Sequence, residues 1–123
     1  MGILDGLMGH GSDVSAAEVQ DELKDVLLPG EPVQVAFRVV RDLYVFTDRR
    51  MILVDKQGMT GRKVEYFVVP YRAITAYSIE NAGRFDLESE LKIWVSGMGA
   101  PIQKTLRKGA DVRGIQAAIA GSL

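Results

Sequence analysis

The fold is decided by residues 43–71, LYVFTDRRMILVDKQGMTGRKVEYFVVPY. Two runs of strand-forming residues, Leu43–Thr47 and Met51–Asp55, are separated by three polar residues and predict an antiparallel hairpin. A third run, Val64–Pro70, follows the loop Gln57–Gly61, whose two glycines suit turn positions with positive φ. Basic residues crowd around these turns. They either hold an anionic ligand or form the solvated ends of a sheet.

Strand patterns continue on both sides of this stretch. In Val33–Val39 apolar residues alternate with Gln34, Ala36 and Arg38, which predicts a half-buried strand with its four valine and phenylalanine side chains on one face. Three further strands are predicted downstream, at Ile74–Ile79, Leu91–Ser96 and Ile102–Arg107. Seven short strands at intervals of roughly 8–12 residues predict a mainly β protein, a seven-stranded antiparallel sandwich or partly open barrel over residues 33–107.

A helix is predicted at each end of the strand region. Ser15 and Glu18 form a capping box that opens a helix at 15–28. Its apolar residues recur on one stripe, which should pack on the domain. The stripe consists of Val19, Leu23, Val26 and Leu27. Asp111 can cap a second amphipathic helix at 111–120, and we expect that helix to close an open end of the barrel.

Composition limits the classes of protein. The chain of 123 residues has the length of one domain, and its 15 Lys and Arg against 16 Asp and Glu give a formal net charge of −1. No global field therefore attracts nucleic acid or anionic lipid. The absence of cysteine excludes disulfides and thiolate chemistry and favours a reducing compartment. The sequence has no apolar run of membrane-spanning length and no basic signal region, so we expect a cytoplasmic protein.

The first 14 residues are interpreted as a short apolar leader, which we call the leader below. Ile3, Leu4, Leu7 and Met8 have spacings that share one face of a short helix, and glycines follow. Such a helix is too short to be stable alone, so its apolar face either docks or frays. The alternatives are a disordered tail and a docking or subunit-contact segment. Membrane insertion is disfavoured, because the first basic residue is Lys24.

The basic residues around the central turns form a candidate anion site. The candidate contacts are Arg49, Arg50, Lys56, Arg62 and Lys63, opposed locally only by Asp48 and Asp55. A second basic cluster, Lys104, Arg107, Lys108 and Arg113 with Asp111, has the same local excess of charge. Charged residues at hairpin ends also keep any sheet protein soluble, so the structural interpretation is preferred and weak anion binding is the alternative. The two consecutive arginines can equally bond carbonyls or pair with Asp48 and Asp42.

Other candidate chemistry lacks a recognised pattern. His10 stands between two glycines with no second histidine to share a metal or act as a positioned base. A group of acids lacks the spacing of an EF-hand loop. These acids are Glu80, Asp86, Glu88 and Glu90. Aromatic residues interleaved with arginine resemble a nucleic-acid platform, but no continuous basic stripe accompanies them. We predict no enzymatic activity, no cofactor, no metal and no nucleic-acid partner.

The sequence resembles a known family. Seven antiparallel strands closed by a C-terminal helix is the layout of the pleckstrin-homology (PH) superfold. Residues 41–74, RDLYVFTDRRMILVDKQGMTGRKVEYFVVPYRAI, with FDLESELKIWVSG at 85–97, look like the bacterial PH-domain family of small stand-alone proteins, formerly a domain of unknown function. The resemblance covers essentially the whole chain and implies a PH-like domain over 15–123. It also implies ring-like homo-oligomers and no enzymatic activity, and it assigns no ligand or catalytic residue.

The phosphoinositide pocket of eukaryotic PH domains is not matched here. That pocket lies between the first loops, whereas the connection at 39–43 is tight and its Arg41 stands beside an acid, Asp42. Membrane contact is therefore expected to be weak or absent.

Three strands are apolar on both faces, Leu43–Phe46, Met51–Val54 and Tyr66–Val69, so a second face must be covered. The helix at 15–28, the leader and a neighbouring subunit are the candidates to cover it. The first hypothesis is a non-enzymatic module that self-assembles, as a ring, and acts as a scaffold for an unknown protein partner. The alternative hypothesis is a weak anionic-lipid or phosphate-binding domain that uses the basic hairpin ends.

Overall fold

The fold consists of two antiparallel sheets with a helix at each end, as seen in a computed structural model that describes residues 15–39, 41–81, 88–107 and 110–121. The elements are α1 (Ala16–Glu22), β1 (Val33–Val39), β2 (Asp42–Thr47), β3 (Arg50–Gln57), β4 (Lys63–Pro70), β5 (Ile74–Asn81), β6 (Ser89–Val95), β7 (Ile102–Leu106) and α2 (Val112–Ala120). The sheets have the strand orders β1-β2-β3-β4 and β5-β6-β7. The predicted seven-stranded, mainly β fold is confirmed.

The central hairpin forms as its sequence predicts. Phe46 lies opposite Met51 across β2 and β3, and the Thr47 hydroxyl accepts hydrogen bonds from the backbone N–H groups of Arg49 and Arg50 at 3.0 and 3.1 Å. In the loop between β3 and β4, Gly58 and Gly61 have φ values of 76° and 69°. Side chains other than glycine rarely adopt this conformation, which explains why glycines stand there.

The main core lies between the two sheets. It is built by alternate residues of the strands, because successive side chains of a strand point to opposite faces. Its largest fully buried members are Phe37, Phe46, Met51, Tyr71, Leu91, Ile93, Leu106, Ile115 and Ile119. The last two come from α2, whose N-terminus is capped by the Asp111 carboxylate. This closing helix was predicted.

A second apolar layer covers the outer face of the four-stranded sheet. We call it the outer layer. Val19 and Leu23 pack there against outward-facing strand residues and are almost fully buried. Their partners in the sheet are Val33, Ala36, Leu43, Val45, Ile52 and Val54. This layer explains why β2 and β3 are apolar on both faces. One face meets the main core, and the outer layer covers the other.

Strand β1 departs from the predicted alternation. A bulge between Val33 and Val35 shifts the register with β2, so Val33 and Ala36 join the outer layer while Val35 and Phe37 enter the main core. The prediction that Val33 shares a face with Val35 and Phe37 was wrong, because one inserted residue reverses the faces of a strand.

Helix α1 is shorter than the predicted 15–28. The Ser15 side chain accepts from the backbone N–H of Glu18 at 3.2 Å, as the capping box predicts, but the helix ends at Glu22 and gives way to turns. The chain is drawn toward the sheet there, because the Val26 carbonyl accepts from the Arg50 guanidinium and the Leu28 N–H donates to the Glu31 carboxylate. Of the predicted apolar stripe, Val19 and Leu23 are buried, and Val26 and Leu27 are half-buried.

Among the described residues, no helix has the length and apolar character needed to cross a membrane.

Candidate functional site

A buried ion pair joins the outer layer to the hairpin. Glu31 lies in the Pro29–Pro32 loop before β1, and its side chain is fully buried. Arg50, the first residue of β3, donates to both Glu31 carboxylate oxygens, from Nε at 2.9 Å and from Nη2 at 2.8 Å. Such a two-pronged contact fixes both side chains, because the guanidinium fork matches the carboxylate.

The remaining hydrogen bonds of this pair are also satisfied. The Thr47 hydroxyl donates to Glu31 Oε2 at 2.7 Å, and the Leu28 N–H donates to Oε1 at 3.0 Å. Close by, the buried Tyr71 hydroxyl donates to the Thr47 carbonyl at 2.8 Å. A charge taken out of water is tolerated when it is paired and hydrogen-bonded in this way. The Glu31 carboxylate is therefore fully hydrogen-bonded within the fold, so the cluster connects parts of the structure and does not offer a binding site for a ligand.

The electrostatics follow from this geometry. The hydrogen bonds from Arg50 outweigh the opposing effect of burial and lower the pKa of Glu31 to about 2. Burial of Tyr71 raises the pKa of its phenol, and the negative charges of Asp48 and Glu31 add to that effect.

The lowered pKa of Glu31 predicts a pH dependence of stability. Since the folded pKa lies below the ordinary value near 4.5, the stabilisation is complete above that value and is lost as the pH falls toward 2. We expect the difference in unfolding free energy between wild type and Glu31→Gln to shrink by about 3 kcal/mol between about pH 5 and pH 2. Urea unfolding at a series of pH values measures it. A difference that stays constant over this range would contradict the prediction.

A second ion-pair cluster lies at the other end of the same face. Glu22, the last residue of α1, accepts from Arg38 at 2.8 Å and from Lys56 at 3.0 Å. All three side chains are about one-third exposed, so water screens the interaction and its contribution is at most about 1 kcal/mol.

The structure separates the five predicted anion contacts. Arg50 is engaged by Glu31, Lys56 by Glu22, and Arg49 lies 3.6 Å from the Asp48 carboxylate. Arg50 and Lys56 stand near opposite ends of β3, about 20 Å apart along the strand. The pairing of Arg49 with Asp48 is one of the alternatives that the sequence left open. The partner of Arg50 is Glu31, which the sequence interpretation missed.

Two of the candidate anion contacts remain available. Arg62 and Lys63 are exposed at the start of β4 and form no ion pair with any residue that the structure describes. Arg41 is near them, since its Nη1 atom lies 3.6 Å from the position that a Cβ at Gly61 would occupy. Three basic side chains thus share one end of the four-stranded sheet.

An open apolar surface lies on β4, an edge strand of its sheet. Tyr66 and Val68 point to the outer face and are 45% and 37% exposed. Their partners on β3, Val54 and Ile52, are buried in the outer layer. We call this surface, Tyr66 and Val68, the β4 face. A second exposed aromatic residue, Trp94, lies on β6 in the other sheet.

The remaining candidate residues from the sequence lie partly inside and partly outside the described part of the chain. Ile3, Leu4, Leu7, Met8 and His10 fall outside the described residues. Within the described ranges, no group of three or more His, Asp and Glu residues could hold a metal ion. Most aromatic side chains fill the main core, and Tyr44 there lies 5.7 Å from the Lys104 ammonium, measured to the ring centroid.

Two features of the fold, the pair of antiparallel sheets and the C-terminal helix that closes them, define a PH-like β protein. The chain belongs to the bacterial PH domain family, whose sequence profile matches residues 2–123. The resemblance drawn from the sequence is thereby confirmed.

Related proteins agree with this assignment. The chain is 54% identical over 121 residues to the uncharacterized protein YjqA of Bacillus subtilis, covering 98% of this chain and 97% of that protein. It is similar to the crystal structure of a DUF1696 family protein with a pleckstrin-homology domain from Shewanella loihica, with a TM-score of 0.84, 49% identity, and 94% and 99% of the two chains covered. A pleckstrin homology domain from Shewanella amazonensis gives a TM-score of 0.74 at 48% identity, with 98% of each chain covered.

Proposed function

We propose that this chain is a non-enzymatic, PH-like interaction module that assembles with copies of itself into a ring and presents that ring as a cytoplasmic scaffold for another protein. The observation that carries the proposal is the β4 face. Single exposed apolar residues are ordinary on protein surfaces, but Tyr66 and Val68 are neighbours on one face of an edge strand and continue a buried apolar layer. Such a surface is typical of an interaction site.

The geometry of that surface favours a head-to-tail contact. The β4 face lies at one edge of the four-stranded sheet, and α1 lies along the opposite edge strand, β1. A contact that joins two different surfaces of the same chain is heterologous, and it closes into a ring when the rotation between subunits permits.

The proposal of a non-enzymatic role has its own support. The buried charge in the described part of the chain, Glu31, is fully engaged with the partly buried Arg50 and with neighbouring polar groups. A nucleophile or general base needs a free, positioned partner. PH domains are generally binding modules, and the family assignment agrees with that role.

A second candidate function is weak binding of an anionic lipid or phosphate. The observation that favours it is the exposure of Arg62 and Lys63 beside Arg41 at one end of the sheet. Such binding would be screened by salt, because exposed charges carry it.

Self-assembly predicts an oligomer that salt does not dissolve. We expect the full chain to elute as an oligomer in size-exclusion chromatography with light scattering, with the same molar mass at low and high salt. Apolar contacts respond little to ionic strength, whereas contacts between exposed charges weaken. A variant lacking Met1–Gly9 is expected to elute as a monomer, because it lacks the apolar residues of the leader.

The control is circular dichroism, which should show an unchanged β fold in the truncated variant. A full chain that is monomeric at every concentration and salt condition would refute the scaffold proposal. Binding of that monomer to vesicles containing anionic lipid, falling as salt rises, would support the second candidate.

A further inference from the structure

We propose that the leader of one subunit docks on the β4 face of the next subunit. This inference rests on the proposed function and names the contact that builds the assembly. The donor residues are Ile3, Leu4, Leu7 and Met8. The acceptor is Tyr66 and Val68, together with the half-buried Val64 on the same face of β4.

The acceptor residues lie at the edge of the outer layer, where no other part of the described chain covers the sheet. Across the sheet the outer face is covered over β1, β2 and β3, where Ile52 and Val54 are 0% and 2% exposed. One strand further, the side chains opposite these two are Val68 and Tyr66, and both remain open to solvent. One more apolar segment laid beside the outer layer would complete the cover. The leader has the amphipathic spacing for that role.

The donor leaves the fold from the opposite side. Helix α1, which the leader precedes, lies along β1, and the Gln20 side chain accepts from the Val33 N–H at the start of that strand. Strands β1 and β4 are the two edges of the sheet, separated by three strand spacings or about 14 Å. Leu23, Val26 and Leu27 pack on this face of the sheet.

The connecting length allows the leader to reach a β4 face on either side, and the proposed assembly selects that of a neighbouring copy. Gly9–Val14 are six residues, which span at most about 20 Å when fully extended. To reach its own β4 face, the leader would have to cross the outer face of the sheet. A neighbour whose β4 edge adjoins β1 places the same surface beside the point where the leader joins α1.

Charge complementarity supports the pairing. The segment up to residue 23 contains acids and no Lys or Arg. Its candidates for a charge contact are the leader acids Asp5 and Asp13, with Glu18 and Asp21 of α1, whereas Glu22 is already paired with Arg38 and Lys56. The start of β4 presents the exposed Arg62 and Lys63 beside the apolar acceptor. Opposite charges at the rim of an apolar contact fix its orientation and suppress wrong partners. The basic turn that first suggested an anionic ligand thus gains an acidic segment of this chain as its counterpart.

Disulfide trapping in the full chain tests the contact, since the natural sequence contains no cysteine. One chain carries Leu7→Cys and a second carries Val68→Cys. The two chains are mixed, oxidised mildly and weighed by intact mass spectrometry, which separates the mixed disulfide from either homodimer. We expect the mixed product to dominate. The matched control replaces Val68→Cys with Ser96→Cys, an exposed position at the end of β6 in the other sheet, and should give little mixed product.

A second pair of variants tests the acceptor without cysteine. Val68→Lys should reduce the molar mass in light scattering to that of a monomer, because a charge on the β4 face cannot be covered by apolar residues. Glu65→Lys lies on the same strand, is exposed, and points to the opposite face. It should leave the oligomer unchanged.

The outcomes separate this inference from the proposed function. A wild-type oligomer with no mixed disulfide, and with Val68→Lys still assembled, would overturn the docking contact and leave self-assembly intact. A doubly substituted chain that closes only an internal disulfide, with no mixed product between chains, would assign the β4 face to its own leader and also overturn the inference. A wild-type monomer would refute both proposals.

Discussion

Glu31→Ala is expected to lower the free energy of unfolding by about 3–5 kcal/mol, because removing one member of a buried ion pair leaves the other without its counter-charge. Arg50 loses both short hydrogen bonds to the carboxylate, and the Thr47 hydroxyl and Leu28 N–H lose their acceptor. The loop before β1 then loses its attachment to the hairpin. Urea unfolding followed by circular dichroism, at one protein concentration, measures the change.

The matched control is Glu22→Ala. This acid also accepts from two basic side chains, but it is about one-third exposed, so the expected cost is at most about 1 kcal/mol. Replacing both members of the pair, by Glu31→Leu with Arg50→Met, should recover the part of the loss that comes from the unpaired charge, while the Thr47 hydroxyl and the Leu28 N–H still lack their acceptor. Equal effects of the two alanine variants would show that burial does not determine the strength of the Glu31 pair.

Phe37→Ala is expected to cost about 3–5 kcal/mol, the usual range for removing a buried aromatic ring from a core. The side chain is fully buried on β1, and its ring meets that of Phe46 edge to face, with centroids 6.3 Å apart at an interplanar angle of 81°. Truncation removes this contact and leaves a cavity between the two sheets. Thermal and urea unfolding should both shift in the same direction.

Met59→Ala is the control for core truncation. This apolar side chain in the loop between β3 and β4 is fully exposed, so its removal should change stability by no more than about 0.5 kcal/mol. A loss for Phe37→Ala as small as that of the control would mean that the core collapses around the missing ring.

The strands and helix caps could be predicted because their signals are local. Each strand is marked by its own apolar residues and by adjacent turn residues, and the caps at Ser15 and Asp111 act within three residues. The need for a cover on the second face was also evident, because β2 and β3 are apolar on both sides. The spacing of apolar residues shows which side chains are buried, and burial of those side chains holds the strands and helices in place.

The buried ion pair of Glu31 could not be predicted from the sequence, because its partner Arg50 is 19 residues away in the chain. A glutamate between two prolines is typical of an exposed loop, and only the fold brings Arg50 and Thr47 to it. The candidate anion site failed to form one cluster for a similar reason. Charges that are close together in a hairpin sequence can lie at opposite ends of a strand, as Arg50 and Lys56 do.

Strand β4 also affects how the chain behaves before it folds. Its central residues, Tyr66 to Val69, have the high β-propensity and low charge of segments that stack into fibrils. Arg62, Lys63 and Glu65 precede this segment, and Pro70 follows it directly. Charges and proline in these positions oppose the stacking of identical strands from different chains. The folded protein can therefore keep an exposed apolar edge strand while these residues oppose aggregation of chains that have not yet folded.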